Sequence, residues 1–154
     1  MLCIRLATRA DLPVLADLLG ELFAQEREFS PDRAAQLRGL VLLLERGDAV
    51  RIMVAERDGQ VVGMGVLHIG VSTYLGAKVG MLEDVIVTAA QRGAGIGRRL
   101  LAGLIEQGRA DGLQRITLLT DHDNVAGQAF YEGFGFTRST MLPYRLMLTK
   151  SATA

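Results

Sequence analysis

The sequence predicts an α/β (α+β) chain: a mixed, mostly antiparallel sheet flanked by helices, in a single domain spanning residues 1–154. Three observations carry that expectation. Short β-branched runs and stretches with apolar residues at helical spacing follow in the order β-α-α-β-β-β-α-β-α-β-β. Asp58-Gly59 lies between two apolar runs, the signature of a tight hairpin. The stretch VIVTAAQRGAGIGRRLL, residues 85–101, runs from a β-branched segment through Gly93, Gly95 and Gly97 into an amphipathic one.

LCIRLA, residues 2–7, reads as the first strand, and Thr8 or Asp11 as the cap of a helix over roughly 11–23. That helix places Leu12, Leu15, Leu18, Leu19 and Leu22 on one face. Ser30-Pro31 interrupts it, and a second helix covers 32–46. VRIMVAE (50–56) and QVVGMGVLHI (60–69) flank the hairpin turn. Gly63 and Gly65 inside the return strand point to a bulge or a close backbone approach. After a loop over roughly 70–77, KVGMLEDVIV forms a strand ending at Val87. A helix over 96–110 buries Ile96, Leu100, Leu101, Leu104 and Ile105. RITLLT (115–120), the turn DHDN, a helix over 125–133 and two strands in 136–149 complete the chain.

Composition excludes several function classes. Seventeen basic and seventeen acidic residues cancel, so nothing global draws the chain to nucleic acid or to an anionic membrane. No apolar run approaches the roughly 20 residues of a membrane span. With one cysteine and two histidines far apart in sequence, no metal site is expected. The start, MLCIRLATRAD, lacks the pattern of a signal peptide, and a lone Cys3 fits a reducing compartment, so a cytoplasmic location is expected.

Glycine lowers strand and helix stability by ~0.5–1 kcal/mol relative to alanine, so three at a strand-to-helix handover need a reason. The first turn of a helix carries unpaired N–H groups and a partial positive charge. A glycine lead-in lets an anion reach them without Cβ atoms in the way, which suits a diphosphate. Arg92, Arg98 and Arg99 add charge nearby. The nucleoside-triphosphate loop is excluded, because Gly97 is followed by Arg98-Arg99 where Lys-Ser/Thr is required. The dinucleotide fingerprint G-x-G-x-x-G fails on spacing and on the hairpin that precedes the strand. A tight turn that binds nothing is the plain alternative.

Here the chain resembles the GCN5-related N-acetyltransferases, the GNAT superfamily. Their acetyl-CoA loop reads Q/R-x-x-G-x-G/A, and Arg92-Gly93-Ala94-Gly95-Ile96-Gly97 matches it throughout. IRLATRADLPVLADLL resembles the family's opening strand and helix. Asn124, Ala126 and AFYEGFGF (129–136) resemble its second signature, with three residues instead of two between Ala126 and Phe130. The resemblance implies acetyl-CoA as co-substrate, and it implies acetyl transfer to a primary amine, on a small molecule or a protein, through a ternary complex.

It further implies that the pantetheine arm pairs with backbone groups of Val85, Ile86 and Val87. The diphosphate would lie against Arg92, Gly93, Ala94, Gly95, Ile96, Gly97 and Arg98, and Asn124 would bond the cofactor. A backbone N–H of the 85–87 strand would serve the oxyanion. Tyr131 would bind near the sulfur and act as general acid, since a phenol of pKa ~10 is protonated at neutral pH. Helix spacing alone reads Tyr131 as packing beside Phe130 and Phe134, and Asn124 as a helix cap.

For the general base, Glu83 lies two residues before Val85 and shares its face under strand alternation, with Asp84 and Ile86 opposite. A bulge would swap those faces. Asp84, Asp121, His122 and water remain alternatives, whereas His68 and Cys3 read as strand residues without a chemical role. Loops carrying Glu26, Glu28, Tyr74 and Tyr144 are expected to line the acceptor site, and a homodimer is an option common in the family. Two other classes compete: an acyl-CoA-binding module without transfer activity, and a dinucleotide-dependent oxidoreductase.

Overall fold

The structure, a computed structural model, describes residues 1–149. Strand β1 (Leu2–Leu6) leads through a 3₁₀ turn to helix α1 (Leu12–Gln25) and then to α2 (Arg33–Glu45). Strands β2 (Val50–Arg57), β3 (Gln60–Ser72) and β4 (Ala77–Val87) follow as a meander. Helix α3 (Ile96–Ala110), strand β5 (Ile116–Leu118) and helix α4 (Val125–Glu132) complete the order. The strands form one sheet in the order β1-β2-β3-β4-β5, antiparallel except for the parallel β4–β5 pair. The mixed, mostly antiparallel sheet predicted from the pattern is thus present.

The chain forms two compact units, Met1–Leu118 and the segment from Leu119 onward. In the first unit, alternation along the strands sorts the core into two layers. Leu15, Leu18 and Leu19 of α1 and Leu40 of α2 pack with Ile52, Val54, Met64, Val66 and Ile86 on one face of the sheet. The other face meets α3, where Leu100, Leu101 and Leu104 are fully buried. Gly103 of that helix lies so close to β1 that a Cβ there would stand 2.7 Å from Ile4 Cγ2.

Polar groups tie the helices to the sheet. Asp32 caps α2 by accepting the Ala35 N–H, while the buried Gln36 accepts the Asp32 N–H and donates to the Ala16 carbonyl, both at 2.8 Å. The Arg5 guanidinium grips both oxygens of Asp11 and also bonds Glu56, and it holds the Asp11 carboxyl well below the usual carboxylate range. Arg51 makes the same two-toothed contact with Asp111 at the end of α3, at 3.0 Å to each oxygen.

Asp58 and Gly59 both carry positive φ, 51° and 81°, as the predicted hairpin turn demands. Half of the loop expected over 70–77 is strand: β3 runs on to Ser72 and β4 begins at Ala77, with Gly76 in the left-handed region of the turn between them. Cross-strand bonding carries the ladder through residues whose own pattern is loop-like. The two strands expected in 136–149 are absent among the described residues. A strand exists only through a neighbour's hydrogen bonds; here Pro143 lacks a donor, and the Met141 N–H turns back to Ser139 Oγ at 3.1 Å.

Candidate active site

The site grows out of β4. Its end is pinned twice: Thr88 N–H donates to the Val62 carbonyl at 2.8 Å, and Thr88 Oγ1 donates to Glu21 of α1 at 2.7 Å. Glu21 also accepts the Ala89 N–H, so α1 fixes the segment from which the glycine turn departs. Arg92 folds back and donates through Nε to the Val87 carbonyl at 2.9 Å. Gly93 and Gly95 then adopt φ of 81° and 76°. A Cβ at either would meet no protein atom within 4 Å, so the requirement for glycine there is conformational rather than steric. Gly95 is the N-terminal flank of α3, and Ile96 buries itself as the helix's first residue. The turn thereby presents the first N–H groups of a 15-residue helix beside β4.

Strand β4 is unevenly paired. On one edge β3 accompanies it to Val87, whereas on the other β5 pairs only with Gly80, Met81 and Leu82. The backbone of residues 83–87 therefore has no strand neighbour on that edge within the first unit. An extended chain of amide groups can add there in the manner of an extra strand. Val85, Ile86 and Val87, predicted to hold the pantetheine arm, all lie on this segment.

The β3–β4 register slips in the same place. Met64 stands opposite Ile86 and Val66 opposite Glu83, so Gly65 faces two residues, Asp84 and Val85. This is a β-bulge. Asp84 takes φ 55°, a left-handed conformation that Asp tolerates better than most side chains. Glycine is needed across from the bulge because space is short: a Cβ on Gly65 would stand 2.6 Å from Leu104 Cδ1, and one on Gly63 would stand 2.9 Å from the Ile86 carbonyl.

The bulge corrects the face assignment made by strand alternation. Glu83 shares the face of Ile86, Met64 and Val66, whereas Val85 lies on the α3 face against Gly65. The extra residue reverses the parity between positions 83 and 85. Glu83, moreover, is already engaged: its Oε2 lies 3.2 Å from His68 Nε2 on β3. The contact raises the His68 pKa and lowers that of Glu83. Burial, with the Glu83 charge beside it, pushes the Asp84 carboxyl up to about 6. His68 read as a plain strand residue from sequence. The signal for its pairing lay in the hairpin register, which sets it opposite Met81, two residues from Glu83.

Asn124, Tyr131, Asp121 and His122 belong to the second unit. Asn124 caps α4: its Oδ1 accepts the Gly127 N–H at 3.0 Å and its amide donates to Thr120 at 3.2 Å. The side chain lies so close that a Cβ on Gly127 would stand 2.3 Å from it, which accounts for glycine at the position where the chain departs from the family signature. Tyr131 stacks edge-on with Phe130 and Phe136, at 5.3 Å and 5.8 Å between ring centroids. The carbonyls of Asp121 and His122 accept the Gln128 amide. Tyr74 stands exposed at the β3–β4 turn. Among the described residues no group of His, Cys, Asp and Glu is placed to hold a metal ion, and no helix is long and apolar enough to cross a membrane.

Comparison with known proteins converges on one family. The profile of the family described as "Acetyltransferase (GNAT) family" matches residues 13–136. The chain is 31% identical over 141 residues to the uncharacterised N-acetyltransferase YhfO of Bacillus subtilis, covering 89% of this chain and 91% of that protein. It is 30% identical over 135 residues to the glucosamine 6-phosphate N-acetyltransferase of Trypanosoma brucei brucei, covering 86% and 87%. Among solved structures, a Trypanosoma brucei acetyltransferase superposes with a TM-score of 0.74 at 30% identity, covering 96% of this chain and all (100%) of that one.

Proposed function

We propose that this chain, which belongs to the acetyltransferase (GNAT) family, transfers the acetyl group of acetyl-CoA to a primary amine by direct attack within a ternary complex. The observation that carries the proposal is the continuity of two features. The unpaired edge of residues 83–87 runs directly into a turn whose Gly93 and Gly95 expose the start of α3. One accepts an extended amide chain and the other a diphosphate, the two chemistries that coenzyme A joins in one molecule.

In this reading Val85, Ile86 and Val87 pair with the pantetheine arm, and a backbone N–H there bonds the developing oxyanion. Arg92, Gly93, Ala94, Gly95, Ile96, Gly97 and Arg98 hold the diphosphate. Asn124 and Tyr131 complete the cofactor contacts, and Tyr131 gives its proton to the departing thiolate. A carboxylate of β4, Glu83 or its neighbour Asp84 in the bulge, takes the proton that the amine sheds. The acceptor is an amine on a small molecule or a peptide. The name of the T. brucei relative makes amino sugar phosphates the first acceptors to try. A cytoplasmic site of action fits a chain whose one cysteine, Cys3, is free.

Calorimetric titration with acetyl-CoA, CoA and NAD, followed by a thiol-release screen over amino sugar phosphates, simple amines and peptide N-termini, tests the proposal. Binding of both CoA forms with amine-dependent thiol release is expected. Binding without release from any amine would make the chain an acyl-CoA-binding module, and binding of NAD alone would end the proposal.

A further inference from the structure

We propose that Glu21 of α1 is a positioning residue for the coenzyme: its carboxylate holds the 3₁₀ turn Ala89–Gln91 against the body of the fold, and through that turn it sets where the glycine segment receives the diphosphate. The inference rests on the coenzyme placement of the acetyl-transfer reading above and adds to it a residue that touches no reactant.

The chain between β4 and α3 shapes itself locally but needs an outside anchor. The Gln91 N–H donates to the Thr88 carbonyl at 3.0 Å, and the Arg92 N–H to the Ala89 carbonyl at 3.3 Å. These bonds close the turn without fixing where it sits. Glu21 supplies that: Oε1 accepts the Thr88 hydroxyl at 2.7 Å and Oε2 accepts the Ala89 N–H at 3.2 Å. Both oxygens of one side chain thus grip two consecutive residues at the entry of the turn, ahead of Gly93 and Gly95. The helix that carries Glu21 is a firm base, because its Leu18 and Leu19 are buried in the core that also contains Ile86 of β4. Arg57 of β2 reaches the far end of the turn, donating to Gln91 Oε1 at 3.0 Å in an exposed contact.

A local cap was available and is not used. Thr88 precedes the turn, where a threonine hydroxyl ordinarily accepts from the first N–H groups of its own helix. Here it makes no such bond and donates to Glu21 instead. The Ala89 N–H, left without an intrahelical partner at the start of the turn, goes to the same distant carboxylate. Charge does not account for this placement. A carboxylate at the entry to an anion site repels the anion, so by charge alone Glu21 weakens diphosphate binding. What it contributes is order in the turn.

The end of β4 is held independently of Glu21. Val87 stands opposite Gly63 in the ladder, and the Thr88 N–H donates to the Val62 carbonyl at 2.8 Å. Without Glu21 the backbone that pairs with the pantetheine arm keeps its register, whereas the turn beyond it loses its tie to α1. Loss of Glu21 is therefore felt at the diphosphate and not at the arm.

The test measures CoA binding by calorimetry and stability by urea unfolding for the wild type, Glu21→Ala and Glu21→Gln. Thiol release with one acceptor from the screen then gives kcat/KM for acetyl-CoA and for acetyl-pantetheine, the donor without diphosphate and nucleotide. Glu21→Ala is expected to weaken CoA binding about 10-fold and to lower kcat/KM for acetyl-CoA to match, with acetyl-pantetheine changed by less than about 2-fold. Glutamine can restore both contacts, its oxygen accepting the Ala89 N–H and its NH₂ donating to the Thr88 hydroxyl oxygen, so Glu21→Gln is expected within about 3-fold of the wild type on either donor. Should Glu21→Ala fail to fold, Thr88→Val keeps the side-chain shape, removes one of the two contacts and is expected to weaken CoA binding about 3-fold with acetyl-pantetheine unaffected. Equal losses on both donors, CoA binding in Glu21→Ala as tight as or tighter than in the wild type, or a Glu21→Gln as weak as Glu21→Ala overturns the assignment while acetyl transfer stands. A wild type that binds CoA but releases no thiol overturns acetyl transfer, and the CoA titrations of the variants then decide on Glu21 alone. A wild type that binds no CoA overturns both.

Discussion

Burial and the neighbouring Glu83 charge push Asp84 toward its neutral form, with a consequence for stability that does not depend on any acceptor. Its carboxyl is raised from an ordinary 3.8 to about 6, so folding favours the protonated form. The cost of burying the charge is nil below pH 3.8, grows as pH rises and is complete above about 6, where it reaches about 3 kcal/mol. Asp84→Asn is therefore expected to be more stable than the wild type at pH 8 by up to about 3 kcal/mol, with the advantage vanishing below pH 4. Urea unfolding of both proteins across that range checks the sign. A variant that gains stability and loses turnover marks a residue held for chemistry at the expense of the fold. Tyr131 provides the complementary case. Tyr131→Phe keeps the ring contacts with Phe130 and Phe136 and removes only the hydroxyl. Acetyl-CoA binding is expected to persist and turnover to fall about 10²–10⁴-fold. Turnover equal to the wild type, with chemistry rate-limiting, would relegate Tyr131 to packing.

At the scale of elements, the strand-to-helix turn and the bulge place opposite demands on glycine. Gly95 needs its φ of 76° but has open space around it, so Gly95→Val adds conformational strain of about 1–2 kcal/mol and sets a branched side chain where the diphosphate is proposed to lie. The expected result is a folded protein with much weaker CoA binding, read by calorimetry; binding equal to the parent would remove the loop assignment. Gly63 has no positive φ but has no room. Its Cβ would stand 2.9 Å from the Ile86 carbonyl, a backbone atom that yields only if β4 moves. Gly63→Ala is expected to cost about 1–3 kcal/mol in urea unfolding and to disturb the 83–87 edge as well. The turn was legible from sequence because alternating glycines before an amphipathic helix have a local cause. The bulge was only half legible. Gly63 and Gly65 on β3 announced a close approach, but the residue that bulges, Asp84, lies on the partner strand and bears no local sign of it. Strand alternation, sound within one strand, therefore put Glu83 and Val85 on the same face, and cross-strand register put them on opposite faces.

Across the whole molecule, the pH response combines groups with different signs. His68 gains stability from Glu83 that is fully present below its ordinary 6.5 and fades as pH rises through its raised folded value. Glu83 gains stability that is present above its ordinary 4.5 and is lost as pH falls through its lowered folded value. The pair thus contributes most between about 4.5 and 6.5. His68→Gln is expected to cost up to about 1 kcal/mol at pH 5.5 and less at pH 9, since the pair is partly exposed; an equal cost at both values would show that His68 matters by packing alone. Because the Asp84 cost grows up to about pH 6 and the His68 gain fades above 6.5, the protein is expected to be more stable near pH 5 than near pH 8. The sequence by itself determined the order of elements as far as α4, the Asp58-Gly59 hairpin, the glycine turn ahead of α3 and the family to which they belong, because each is written in contiguous residues whose propensities have local causes. Tertiary structure decided what depends on partners distant in sequence: that β3 and β4 extend into the expected loop, that 136–149 forms no strand among the described residues, and that His68 pairs with Glu83. The physical reason is that strand edges, bulges and ion pairs are set by register between segments, and a one-residue slip in register changes every face beyond it while leaving the local pattern intact.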